Sequence, residues 1–140
     1  MLDTDEWRGR RWRVALMAHE TKKRVLLEFV ARHRAELKDW ALLAPASTGE
    51  VLREATGLRI RTVPSGPRGG DVQIGSEIAA GEIDALIFLR DPVTTQPLER
   101  DSTALLRLAD LHNIALATNL ASAECLVRAL MPEGALVARR

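Results

Sequence analysis

Short apolar runs alternate with helix-period segments along nearly the whole chain. Residues 13–18 are the first such run and predict a buried strand. Residues 22–34 follow at helical spacing, with Val25, Leu26, Phe29 and Val30 on one face. The pattern then repeats as a strand at 40–44, a helix at 50–56 that Gly57 ends, and a strand at 58–63 carrying Ile60 and Val63. After a glycine-rich turn, 72–80 predict a helix stopped by Gly81, and the uninterrupted apolar stretch 85–89 is the clearest strand in the chain. A polar loop at 90–100 contains Pro92 and Pro97; a helix at 102–112, a strand at 114–117 and a helix at 122–130 complete the series.

Strands that are apolar throughout, each followed by a helix, are buried on both faces. They imply an α/β fold with a five-stranded parallel sheet and helices on both sides, doubly wound in the Rossmann-like manner. At 140 residues the chain is long enough for one such domain. It divides into a basic arm at 1–12, an α/β domain at 13–131 and a short tail at 132–140.

Composition changes this picture little: 46% hydrophobic and 28% charged residues are ordinary globular values. A net charge of +1 argues against polyanion binding by the chain as a whole. The arm mixes Trp7 and Trp12 with Arg8, Arg10, Arg11 and Arg13, which suits phosphate contacts and base stacking, but no second basic-aromatic cluster makes a groove with it. The plainer expectation is a solvated arm with Trp12 packed on the core. One cysteine excludes an internal disulfide, and Cys125 is expected to be inert packing in a helical apolar pattern. No apolar run reaches membrane-spanning length, and the charged N-terminus lacks the apolar core of a secretory signal, so a cytoplasmic location is the default expectation.

In doubly wound sheets ligands bind outside the carboxyl ends of the strands. That rule selects His19 and Glu20, Ser47 and Thr48, Ser65 to Asp71, Asp91 to Asp101, and Thr118 with Asn119. The richest of these segments is Ser65-Gly66-Pro67-Arg68-Gly69-Gly70-Asp71, with three of the nine glycines. Closely spaced glycines let backbone N–H groups converge on an anion, since no Cβ blocks the approach. A carboxylate beside bound phosphate is a poor phosphate ligand, yet Asp71 there suits a general base for a proton on a nearby carbon. A plain strand-turn-helix connection with Asp71 as the helix cap remains the competing reading.

Ser47-Thr48-Gly49 and Ser65-Gly66 suit phosphate as hydroxyl-bearing turns at helix starts, although Ser47 or Thr48 can equally be a simple cap. Lys23, one turn into the first helix, is a candidate for the same anion, or a solvated surface lysine. His19 at a strand end reads as a site residue, whereas His33 and His112 read as structural. Asp71, Asp91 and Asp101 put three acids at one end of the sheet, and clustered acids raise one another's pKa toward proton transfer. Asp84 and Asp110 read as ordinary end-of-element residues. Metal-ligand spacings and a Walker loop are both absent from the sequence.

Taken together, Ala18-His19-Glu20 with Lys23, Ser47-Thr48-Gly49, the Ser65 to Asp71 run, Asp91-Pro92, Asp101 and Ala117-Thr118-Asn119 resemble the methylglyoxal synthase family over about residues 14–130. The resemblance implies conversion of dihydroxyacetone phosphate to methylglyoxal and inorganic phosphate, with no metal or organic cofactor and in a homohexamer. By the same resemblance Asp71 is the base that removes a proton from the hydroxyl-bearing carbon. Lys23, Ser47, Thr48, Ser65 and Gly66 hold the phosphate, His19 and Asp101 support the chemistry, Asp91 orients its loop, and Glu20 and Asn119 are supporting residues.

The chain departs from the family pattern in places. Leu98 follows Pro97 where the family carries a proton-handling histidine, and leucine cannot take that role; Gln96 and Glu99 are the nearby polar candidates. Pro45-Ala46 replace a threonine-glycine pair, which removes a hydroxyl and an amide donor. Glu20 stands for an aspartate, and Arg139 or Arg140 is the candidate where some members use a late arginine from a neighbouring subunit. Two readings therefore stay open: a working lyase, or a weakened homologue that binds a phosphorylated metabolite as a sensor or regulatory module. A nucleic-acid module built on the arm is the third and least supported.

Overall fold

The structure, a computed structural model, describes residues 12–65, 69–93 and 103–131. Five strands form one sheet: β1 (Arg13–Ala18), β2 (Ala41–Pro45), β3 (Ile60–Val63), β4 (Ala85–Leu89) and β5 (Ala115–Ala117). Every pairing is parallel, in the order β3-β2-β1-β4-β5. The helices are α1 (Lys23–Arg32), α2 (Arg34–Leu37), α3 (Ala46–Thr56), α4 (Gly70–Ala79), α5 (Thr103–Leu111) and α6 (Leu120–Ala129), with a 3-10 turn at Glu20–Lys22.

Strand alternation divides the core into two layers. Val14, Leu16, Leu42, Ile60 and Ile87 pack under α1, α3 and α6 through Leu26, Phe29, Leu52, Leu126 and Val127. Ala15, Met17, Leu43, Val63, Leu86 and Phe88 pack under α4 and α5 through Ile74, Ile78 and Leu105. The sheet is thus doubly wound, as the alternation of apolar runs predicts. Trp12 lies in the first layer with its indole N–H bonded to the Leu130 carbonyl at 2.9 Å, in keeping with core packing. The rest of the basic arm and the tail lie outside the described residues.

Several boundaries differ from the sequence pattern for local reasons. The first helix breaks at His33, whose backbone leaves the helical region (φ −105°, ψ 21°), and α2 resumes one residue later. α3 starts at Ala46, not at 50, because Pro45, with φ −59° and ψ 150°, leads straight from the strand into the helix. Pro45 costs no pairing to β1, since that register ends at Leu43. Gly57 and Gly81 do close their helices, with φ of 74° and 77°. Cys125 departs from expectation: it is exposed on α6, not packed inside.

Asp84 behaves as an end-of-element residue. It accepts from the Arg13 amide at 2.9 Å and from its guanidinium at 3.1 Å, pinning the amino end of β1 to that of β4. Among the described residues no helix is long and apolar enough to cross a membrane.

Candidate functional site

The order β3-β2-β1-β4-β5 means that the chain leaves β1 toward β2 and β3, then returns to its other side as β4. The switch point lies between β1 and β4, where doubly wound sheets place their ligand crevice at the carboxyl edge. Polar side chains from four strand ends face this edge.

On one side of β1 lies a set of hydroxyls, amides and an ammonium. The 3-10 turn after His19 brings Lys23 to the edge, where Nζ meets Ser47 Oγ at 3.4 Å and Glu20 Oε1 at 3.0 Å. Ser47 belongs to the first turn of α3, which has Pro45 at its N-cap and no capping side chain. Neither Ser47 nor Thr48 is therefore the cap, and the first-turn amides lack intrahelical acceptors. The Ser47 amide donates to Ser65 Oγ at 3.3 Å, which ties the end of β2 to the end of β3. Thr48 is buried at 5% exposure. The ends of β1, β2 and β3 thus join through Lys23, Ser47 and Ser65, three of the five residues that the sequence offered for a phosphate. Gly66, the remaining member, lies outside the described residues.

Asp71 enters from the glycine turn. Gly69 caps α4 with φ 94°, and Asp71 sits in the first helical turn, so Asp71 is not the helix cap. A Cβ on Gly70 would lie 1.7 Å from the Pro64 carbonyl oxygen. Only glycine permits that approach, which packs the start of α4 against the exit of β3 and holds Asp71 at the edge. The Oδ1 atom of Asp71 is closed off from solvent.

At the switch point itself the Asp91 amide donates to His19 Nδ1 at 2.9 Å. A backbone N–H can only donate, so Nδ1 accepts, and the neutral ring carries its proton on Nε2. Nε2 is buried and has no hydrogen-bond partner among the described residues, while the ring stands edge-on to Phe88 at 5.3 Å between centroids. The Asp91 carboxylate accepts from Thr21 Oγ1 at 2.6 Å and from the Val93 amide at 3.0 Å, so it shapes its own turn. Asn119 caps α6 by accepting from the Ser122 amide at 2.9 Å. Asp101 and Leu98 lie outside the described residues. His33 is remote from the edge, bound between Glu36 and Glu124, which fits its structural reading.

Two residues at the edge escape a reading of the sequence. Thr21, in a lysine-rich segment, gives no sign of its bond to Asp91. Arg90, which reads as the first residue of a polar loop, has a buried Nε without a hydrogen-bond partner among the described residues. The available signal for Arg90 was its position, a charge directly abutting an all-apolar strand.

The chain matches the family model described as the MGS-like domain over residues 25–118. A methylglyoxal synthase of Natranaerobius thermophilus is 52% identical over 119 residues, spanning 85% of this chain and 99% of the relative. One from Bacillus subtilis (strain 168) is 51% identical over 118 residues, spanning 84% and 86%. The crystal structure of methylglyoxal synthase from Elizabethkingia anophelis NUHP1 superposes with a TM-score of 0.83 at 37% identity, covering 89% of this chain and 80% of that one. With fold, strand-end chemistry and sequence in agreement, the chain belongs to the methylglyoxal synthase family.

Proposed function

We propose that the protein is a carbon–oxygen lyase that converts dihydroxyacetone phosphate to methylglyoxal and inorganic phosphate. One observation carries the reading: Lys23, Ser47 and Ser65 are linked across the ends of β1, β2 and β3, one glycine turn from Asp71. Lys23, Ser47, Thr48, Ser65 and Gly66 bind the phosphate. Asp71 takes a proton from the hydroxyl-bearing carbon, and the carbonyl oxygen becomes the oxyanion of an enediolate. The hydroxyl then loses its proton and becomes the aldehyde carbonyl. The carbon–carbon double bond shifts toward the methylene carbon, and phosphate departs with the pair of the broken C–O bond. One of the two protons ends on the methylene carbon, making the methyl group, and the other leaves with phosphate. His19, protonated on Nε2 through the Asp91 amide, donates to the carbonyl oxygen as charge develops there. Exposed Val51, Val72 and Leu111 on α3, α4 and α5 support a homo-oligomer, a hexamer by family resemblance.

The test is dihydroxyacetone phosphate with purified protein, following methylglyoxal and phosphate release together, with Asp71→Asn as the blank. Wild-type turnover should exceed the blank by about 10²–10⁴-fold, the usual worth of a general base. Phosphate binding should persist in the variant, because a negative charge near the anion is gone. Leu98 in place of a proton-handling histidine favours a second reading, a binding module for a phosphorylated metabolite. Binding of phosphate without turnover above the blank would decide for that module.

A further inference from the structure

His19 and Arg90 follow β1 and β4 at equivalent positions. The register pairs Met17 with Phe88 and Ala18 with Leu89, and the His19 amide donates to the Leu89 carbonyl at 3.0 Å. Pairing therefore runs one residue past both strands and sets His19 beside Arg90. Alternation gives both residues the layer of Met17, Phe88 and Ile74, the layer from which α4 brings Asp71. Neighbouring strands are about 4.8 Å apart, so the two side chains leave the sheet side by side.

Both carry a buried donor that no group among the described residues meets: His19 Nε2 and Arg90 Nε. An arginine is charged at every working pH, and withdrawing its Nε donor from water without an acceptor is costly. Other cations are differently placed. Lys23 is paired with Glu20, Arg13 with Glu82 and Asp84, and Arg61 with Glu77. Arg90 makes no ion pair among the described residues. The phosphate cradle is built on the β2 and β3 side of β1, whereas Arg90 ends β4 on the other side. Arg90 is thus placed across β1 from the cradle, at the end where the rest of a phosphate-bound ligand would lie.

We propose that Arg90 is a catalytic residue that, with His19, binds the oxygen made negative when Asp71 removes the proton. This inference rests on the lyase reading above. His19 supplies a neutral donor, while an enediolate beside a phosphate dianion calls for a full positive charge. Arg90 supplies that charge and is not consumed: no bond to it forms or breaks, and it keeps its protons throughout.

The experiment compares wild type, Arg90→Lys, Arg90→Gln and Arg90→Ala with two probes, inorganic phosphate and 2-phosphoglycolate. The second adds a carboxylate where the enediolate forms. In Arg90→Gln, 2-phosphoglycolate affinity should fall about tenfold to a hundredfold with phosphate affinity unchanged, as for a lost charged hydrogen bond. Turnover should fall by about 10²–10³-fold in kcat with a smaller change in KM, the pattern of an interaction made mainly in the transition state. Arg90→Lys should recover part of kcat. Added guanidinium should raise the turnover of Arg90→Ala, which a merely structural role would not predict. Equal loss of both probes, or loss of neither, overturns the proposal. A wild type that discriminates the probes through Arg90 but shows no turnover would refute the lyase reading while keeping the anion contact.

Discussion

The Thr21 hydroxyl is the outermost link of a short chain of hydrogen bonds. It holds Asp91, the Asp91 amide holds His19 Nδ1, and the ring is left with its proton aimed away from the backbone. Removing the hydroxyl in Thr21→Val forfeits a bond worth about 1 kcal/mol and loosens the turn that fixes the imidazole. Turnover should drop by severalfold while phosphate affinity stays, and Thr21→Ser should restore it. Ring ¹⁵N shifts of His19 provide the direct check: in wild type the proton should reside on Nε2, and in Thr21→Val the two tautomers should mix. An unchanged ring spectrum in the variant would leave Asp91 sufficient by itself. Sequence reading singled out His19, Lys23, Ser47, Ser65 and Asp71 as candidates because polar residues directly after apolar strands are conspicuous. It passed over Thr21 and Arg90 because their roles depend on which strand lies beside β1, and strand order is not a local property.

Elements of the site are held by close approaches that glycine alone allows. A methyl group at Gly70 would fall inside the Pro64 carbonyl oxygen, so Gly70→Ala must push the first turn of α4 away from β3, taking Asp71 with it. Overpacking of this kind costs about 1–3 kcal/mol. Chemical denaturation should register that loss, and turnover should fall further than stability alone explains, because the proposed base has moved. Asn119 offers a cleaner separation of structure from chemistry. Its side chain caps α6, and caps are worth about 1 kcal/mol, so Asn119→Ala should lower the denaturation midpoint with kinetics intact. A fall in kcat at unchanged stability would instead give Asn119 the supporting site role that family resemblance implies. At this scale strands and helices were legible from period alone. The break at His33 and the early start of α3 were not, since each depends on one residue's backbone angles and not on any hydrophobic period.

Across the whole molecule the five strands and their helices follow from the sequence pattern, but the crossing from β3 back to β4 does not. That crossing makes the edge a crevice, and it also brings α6 against α1 on the far layer. There the two helices are joined by charge as well as by packing. Glu124 of α6 accepts from Arg32 and meets His33 Nε2 at 2.5 Å, while His33 Nδ1 lies 3.2 Å from Glu36. The hydrogen bond from Arg32, and after it the bond and charge of His33, hold the Glu124 carboxyl below its ordinary 4.5 despite some opposing desolvation. A carboxylate with a lowered folded-state pKa binds fewer protons folded than unfolded. Its stabilisation is therefore complete above about pH 4.5 and disappears as pH falls through the folded value. Glu124→Gln should be less stable than wild type near neutrality, and the two thermal midpoints should converge on acidification below that point. The site at the carboxyl edge draws nothing from this pair, so turnover at neutral pH should be the same in both proteins. Midpoints that stay apart down to the acid limit would mean that Glu124 contributes packing and no charge.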